Sequence, residues 1–389
     1  TTALILSYMS FAIGYIAGPF GAIFFGHIGD RKGRKVTMYA SLLMMGISTS
    51  IIGILPPAAS AGVGVVIVLQ LMRLAQCFGR GGTWGGGILM AYENVPENKR
   101  SFYAAIPQIG LPIGFGLSSI LIAVPTLLLP EDIFFTWGWR IPFLAAIILT
   151  VIVIRQKGEM METEDYKKAQ AKLEAEEAEG KKHKVGFIPM VKGYWKTLLL
   201  GCGTRWVDGT FYNIFIVWIL SYCINWLGMP LIQTYIITII ACIFKIPFTL
   251  FGGWCAQKLG NTRTFVIGAL ASAVLSIPTL KVIELSKGNL AITIIGIVLG
   301  WSIAYNLIWA VISSLWSSYF ETEVRYSGIS FVYHVPSFLV AGMVPTICTL
   351  LINYGKGDTI YVGIYSTVVA LISAACAVAL KARHDRGEK

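Results

Sequence analysis

Charge is the first thing this 389-residue chain lacks. Only 13% of its residues are Asp, Glu, Lys or Arg, against roughly 25% in soluble domains. With 56% hydrophobic residues and a mean hydropathy of +0.70, there is too little polar surface to coat a water-soluble fold. The apolar runs do not alternate with period two, so a transmembrane barrel is excluded as well. Histidine is scarce, four in all, and His27, His183 and His384 lie outside the apolar runs. No nucleophile–base pair and no metal-ligand spacing is present, which argues against an enzyme and against a metal centre. The seven cysteines sit in apolar runs without a Cys-x-x-Cys and read as small packing residues. No Gly-x-x-x-x-Gly-Lys-Ser/Thr phosphate loop is found, which argues against ATP-driven pumping, and no cofactor is implied.

Acid is scarcer than base: 20 Asp and Glu face 31 Lys and Arg, a net charge of +11. The excess does not mark a nucleic-acid partner. About 23 of the basic residues fall in alternate loops and the C-terminal tail, the bias that places basic loops in the cytoplasm.

What the chain has in abundance is apolar runs longer than the ~18 residues of a spanning helix. They predict an all-α polytopic membrane protein with about eleven spans, near 1–27, 36–55, 62–92, 102–128, 138–155, 196–226, 229–256, 263–283, 289–319, 326–352 and 358–381. Loop charges place 26–35, 93–100, 156–195, 258–263, 321–325 and the tail on the cytoplasmic side, with the short links on the other. The N-terminus then faces outward and the C-terminus inward. The soluble stretch 159–184 is rich in Glu, Lys and Ala without an apolar stripe, a solvated helix at most. As a tether it divides the chain into a transmembrane half (1–155), a linker (156–195) and a second half with a short tail (196–389). A regulatory role for it has no support in the sequence.

The halves echo each other. Gly253-Trp254-Cys255-Ala256-Gln257-Lys258-Leu259-Gly260-Asn261-Thr262-Arg263 is a worn copy of Gly26-His27-Ile28-Gly29-Asp30-Arg31-Lys32-Gly33-Arg34-Lys35. Glu93-Asn94-Val95-Pro96-Glu97-Asn98-Lys99-Arg100 is echoed by Glu321-Thr322-Glu323-Val324-Arg325 at nearly the same offset. Two motifs at one offset argue for a duplication about an axis along the membrane normal. Projected back by that offset, the span 196–226 falls before Thr1, so we expect a six-plus-six design whose first helix is absent from this chain.

The stretch 26–35 resembles the signature loop of the major facilitator superfamily, Gly-x-x-x-Asp-Arg-x-Gly-Arg-Lys. Its Gly26, Gly29, Asp30, Arg31, Gly33 and Arg34 are then candidates for a gate, Asp30 pairing with a neighbouring helix end or arginine. Arg73-Leu74-Ala75-Gln76, Gly81-Gly82-Thr83-Trp84-Gly85-Gly86, Trp137-Gly138-Trp139-Arg140-Ile141-Pro142-Phe143, Arg205-x-x-Asp208-x-x-x-Tyr212 and Glu321-x-x-x-Arg325-Tyr326-Ser327-Gly328 resemble its metabolite:proton symporter branch. The resemblance covers nearly the whole chain. It implies a secondary transporter working as a monomer, with a small solute and protons as partners. Thr83 stands where that branch usually has Glu, which removes an intramembrane acid, and Gly18-Pro19 stands where it usually has Arg-Pro.

Ionisable groups inside spans are costly and pair or face water. Here they are Arg73, Arg80, Arg205, Asp208, Lys245 and His334, with Glu93 near a helix end. Counting along the helices puts Arg80, Asp208 and Lys245 at one depth, near the bilayer centre. A cationic cavity around Arg80, Arg205 and Lys245, with Asp208 its one acid, favours an anionic solute. Asp208 then either carries a proton or neutralises Arg205 or Lys245, and sequence leaves both open. His334 is a packing residue or a proton relay. Trp84, Tyr212, Asn213, Asn306 and Trp309 line a cavity or pack helices. Glu93, Arg100, Glu321 and Arg325 form cytoplasmic charge motifs. The expected function is symport of an organic anion or zwitterion; the alternatives are an exporter, an uncoupled facilitator or a non-transporting sensor. Gly110-Leu111-Pro112-Ile113-Gly114-Phe115-Gly116 faintly resembles an antiporter motif and keeps export open.

Overall fold

A computed structural model describes residues 2–57, 62–156, 162–178 and 187–388. Part of the expected linker helix and His183 lie outside the described residues. The helices follow the apolar runs. A first group comprises α1 (Thr2–Lys32), α2 (Arg34–Ile54), α3 (Val63–Glu93), α4 (Glu97–Leu128) and α5 (Gly138–Gln156). The charged linker forms α6 (Glu164–Ala178). A second group comprises α7 (Met190–Asn225), α8 (Leu231–Leu259), α9 (Asn261–Leu285), α10 (Leu290–Ser317), α11 (Arg325–Tyr354) and α12 (Ile360–Asp385). Ten of these, α2–α5 and α7–α12, are long and apolar enough to cross a membrane. The 31 residues of α1 add about 45 Å of helix at 1.5 Å per residue. No strand occurs among the described residues.

Within the first group α1 and α2 lie against α3, and α5 covers α2; in the second, α12 packs on α7 and α9, while α10 sits against α8 and α9. Two seams join the groups: α1 with α11, and α4 with α8. These seams bring the two groups face to face across the middle of the molecule.

The signature stretch is barely a loop. α1 runs through Gly26 and Gly29 to Lys32, α2 begins at Arg34, and Gly33 alone makes the turn at φ 102°. Its counterpart Gly260, between α8 and α9, has φ 89°, the same left-handed region at the repeat's offset. Both halves thus turn on one glycine.

Three stretches widen from the α-helical spacing, a feature the periodicity did not reveal. Ile214–Trp218, Val298–Ala304 and Phe338–Gly342 are π-helical turns, all in the second group. Tyr305 N–H donates five residues back to Gly300 O at 3.2 Å, and Met343 N–H to Phe338 O at 3.0 Å. Such bulges re-aim the side chains beside them, and two of them border the site described next.

Candidate functional site

At the end carrying the basic loops the two groups are fastened together. Asp30, at the close of α1, accepts hydrogen bonds from the first backbone N–H groups of α11: Tyr326 N–H at 3.2 Å and Ser327 N–H at 3.1 Å. A helix N-terminus leaves such donors unpaired and attracts negative charge, so a carboxylate there caps it from another element. Gly29 makes the approach possible, because a Cβ at that position would lie 2.6 Å from the Tyr326 ring.

Arg34 is fully buried beneath this contact. It donates to Gly29 O at 2.8 Å, to Thr322 O across the seam at 2.8 Å and to Glu93 Oε2 at 3.3 Å. Glu93 also takes Arg325 at 3.0 Å and the Thr163 hydroxyl at 2.7 Å. Arg100 pairs with Asp165 at 2.6 Å. The structure therefore assembles Asp30, Arg34, Glu93, Arg100 and Arg325 in one network. Glu321 lies exposed at the turn before α11, and Arg31 takes part through its carbonyl, which accepts the Tyr166 hydroxyl at 2.9 Å.

The start of the linker is built into the same network rather than hanging free. Glu162 accepts from the Arg34 N–H at 2.9 Å and the Lys35 N–H at 3.2 Å, capping α2, and Thr163 is fully buried. Nothing in the charge pattern of 156–195 distinguished these residues from the solvated helix that follows.

Deeper in, the groups enclose a cavity of about 490 Å³. Its polar wall is Arg80 of α3, Gln108 of α4, Arg205, Asp208 and Asn213 of α7 and Ser337 of α11; Tyr15, Trp84, Phe115, Tyr212, Trp309 and Tyr333 supply aromatic faces. Gln108 and Trp309 tie the seam beside it, Gln108 Nε2–H donating to Trp309 O at 3.1 Å and Trp309 Nε1–H to Gln108 O at 3.0 Å. Trp84 stacks on Tyr333 at 4.1 Å.

The charges are unequally satisfied. Asp208 is held on both oxygens, by the Arg205 guanidinium and by the Tyr305 hydroxyl. Arg205 also donates to Tyr333 O at 3.3 Å and lies 4.2 Å over the Tyr333 ring. Arg80 makes no ion pair among the described residues; its guanidinium lies 4.6 Å over the Tyr15 ring and its Nε–H is buried without an acceptor. Two cations and one carboxylate leave the cavity with a positive surplus.

Of the sequence candidates, Arg80, Arg205, Asp208 and Tyr212 thus meet in one wall, joined by Trp84, Asn213 and Trp309. Lys245 stays outside it. It is fully buried behind the wall, its ammonium 4.4 Å over Trp301, 4.3 Å over Tyr305 and 6.0 Å over Trp309. Depth along a helix fixes height in the membrane but not direction, which is why counting grouped Lys245 with the others. Asn306 is turned the same way and donates to Lys245 O at 2.8 Å. Thr83 belongs to the α2–α3 contact, with Ser41 Oγ at 3.0 Å. Arg73 is exposed and lines a second cleft of about 310 Å³ with Gln76 and Cys77, which meets the cavity at Tyr15 and Arg80. His334 lies on the α1–α11 seam, fully buried, with no side-chain hydrogen-bond partner for either ring nitrogen and the Arg80 backbone against it. Tyr15, Gln108 and Tyr305 were not singled out from sequence; nothing in their spacing separated them from packing residues.

Away from the basic loops, Lys281 bridges Glu284 at 2.9 Å and Asp358 at 2.7 Å, tying α9 to the turn before α12. The Lys281 ammonium holds the Asp358 carboxyl below the usual carboxylate range. Tyr8 Oη–H donates to Ser221 Oγ at 2.6 Å, joining α1 to α7.

Comparison with known proteins fits this architecture. The family model of the Major Facilitator Superfamily matches residues 2–345. The inner membrane metabolite transport protein YhjE of Escherichia coli is 33% identical over 376 residues, 95% of this chain and 82% of its own. The shikimate transporter of Escherichia coli is 30% identical over 96% of this chain and 84% of its own. The proline/betaine transporter of Salmonella typhimurium is 27% identical over 98% and 76%. Among solved structures, the proton:xylose symporter XylE bound to 6-bromo-6-deoxy-D-glucose superposes with a TM-score of 0.75 at 15% identity, covering 97% of this chain and 86% of its own. The chain is a multi-pass membrane transporter rather than an enzyme, and it belongs to the major facilitator superfamily.

Proposed function

We propose that the chain carries a small organic anion or zwitterion across the cytoplasmic membrane by alternating access, coupled to protons as a symporter and working as a monomer. The basic loops, the linker and the C-terminus face the cytoplasm in this reading. The network from Asp30 to Arg325 is then the cytoplasmic gate, closed here. The observation that carries the proposal is the pairing in the cavity: Asp208 neutralises Arg205 and leaves Arg80 without an ion pair among the described residues. A cavity with a spare guanidinium and aromatic walls suits a carboxylate on a compact ring or aliphatic body, the guanidinium giving charge-assisted hydrogen bonds. Shikimate, proline and betaine, named for relatives, all carry a carboxylate and mark the class to screen.

Arg80→Gln tests it. A hydrogen bond to a charged group contributes about 1.5–3 kcal/mol, so affinity for the best carboxylate of a labelled panel should fall about 10- to 100-fold. Equal affinity in the variant would remove Arg80 as the anion's partner. An exporter remains the second reading because Leu111, from the antiporter-like stretch of α4, borders the cavity. Gradient reversal separates the two directions.

A further inference from the structure

Among the described residues near the cavity, the acid and most of the buried bases are engaged by neighbours, while Arg80 is left without an ion pair. Both oxygens of Asp208 are taken by Arg205 and Tyr305. Lys245 is enclosed by three aromatic rings with Trp301 O at 3.5 Å. Glu93 is held at the gate by Arg34, Arg325 and Thr163. His334 stands apart from these: it is fully buried, and neither Nδ1 nor Nε2 has a side-chain partner, the Arg80 backbone being the one polar group against the ring. A buried imidazole with no side-chain partner loses hydrogen bonds that water would supply, so its position calls for an explanation beyond packing.

Its surroundings supply one. From α1 the ring meets Gly18, where a Cβ would sit 3.4 Å from Nδ1. That helix also contributes Tyr15, which lies under Arg80. From α3 come Arg80 and Cys77, from α7 Arg205 with Asp208 beyond it, and on α11 itself the Tyr333 ring at 4.8 Å. The charged groups acting on the imidazole are the two guanidiniums that face the cavity. With the cavity empty, they oppose a further positive charge on the ring. A carboxylate bound between them offsets that repulsion, and in a water-poor interior the offset is large.

We infer that His334 is the proton site of the transporter, loaded by the arrival of the anion itself. One ring nitrogen takes one proton from water on the open side when the anion binds, giving an imidazolium. That proton returns to water on the opposite side when the anion leaves and the guanidiniums again face the ring unscreened. One proton accompanies one anionic charge, and the neutral imidazole is restored. The seam location matters, because α1 and α11 belong to different halves and their separation wets the ring. This inference rests on the reading of the cavity as an anion site.

The test is proton uptake by the purified full chain in unbuffered detergent solution when shikimate, proline or betaine is added, followed with a pH indicator between about pH 5 and 8, where histidine titrates. Binding is measured in parallel by calorimetry. Wild type should take up about one proton per bound carboxylate, as one titrating group requires. His334→Gln should bind the anion yet take up none. Proton uptake by His334→Gln equal to wild type, or anion binding by wild type without proton uptake, overturns the inference and leaves the cavity reading standing. Failure of wild type to bind any of the three overturns the cavity reading itself. Should the variant not fold, ¹⁵N-histidine spectra of wild type decide: an imidazolium signal appearing on anion addition supports the site, and an unchanged set of histidine signals overturns it.

Discussion

Single residues separate what sequence reveals from what it conceals. Arg80, Arg205 and Asp208 were legible because an ionisable side chain inside a span advertises itself and its depth can be counted. Lys245 was equally visible, yet counting misplaced it, since only packing shows that its ammonium faces Trp301 and Tyr305 and not the cavity. That difference is measurable. Lys245→Met should change carboxylate affinity by much less than Arg80→Gln does, in the same binding assay. Equal losses would mean that Lys245 acts on the ligand directly. Gly29 yields a second prediction at this scale. Its missing Cβ lets the Tyr326 ring lie against α1, so Gly29→Leu should force the α1–α11 seam apart. Overpacking typically costs about 1–3 kcal/mol, and a lowered melting temperature in a thermal scan checks it.

Among elements, the helices themselves were the most readable part, since long apolar runs leave few choices in a membrane. Helix ends were harder. The signature stretch looked like a loop because glycine and charge cluster there, but helical geometry tolerates both, and only Gly33 leaves the helix. The capping of α11 by Asp30 joins residues nearly three hundred apart, a relation no local pattern contains. Asp30→Asn removes the charge facing that helix end. Helix-end charge effects run to about 0.3–2 kcal/mol, enough to shift a gate's open fraction several-fold. Alkylation of a cysteine placed at Ser330 should become faster from the basic-loop side, and an unchanged rate would deny Asp30 a gating role. Glu162→Ala, which uncaps α2, should speed amide exchange at Arg34 and Lys35. At the other end, Asp358 titrates below its unfolded value, so its tie to Lys281 stabilises above the ordinary carboxylate range and is lost as pH falls through the depressed value. The acid-induced drop in melting temperature should be smaller in Asp358→Asn. The exposure of the pair keeps the effect small.

For the whole molecule, two halves turning on Gly33 and Gly260 hold a positively biased cavity between them, sealed toward the basic loops by bonds that cross from one half to the other. Duplication was visible in sequence because two motifs repeat at one offset; the cavity was not, because its walls come from six helices whose facing directions depend on packing. In the proposed alternating access, rocking of the halves breaks Asp30 from α11 and Arg325 from Glu93 before the cavity opens to that side. In the proposed function, this machine concentrates a carboxylate at the expense of a proton gradient. This is tested most directly by accumulation of labelled shikimate, proline and betaine in proteoliposomes under an imposed inside-alkaline pH gradient. At least one carboxylate should rise above its external concentration and fall back when the gradient is collapsed. Accumulation indifferent to the gradient, or none for any of the three, would contradict it.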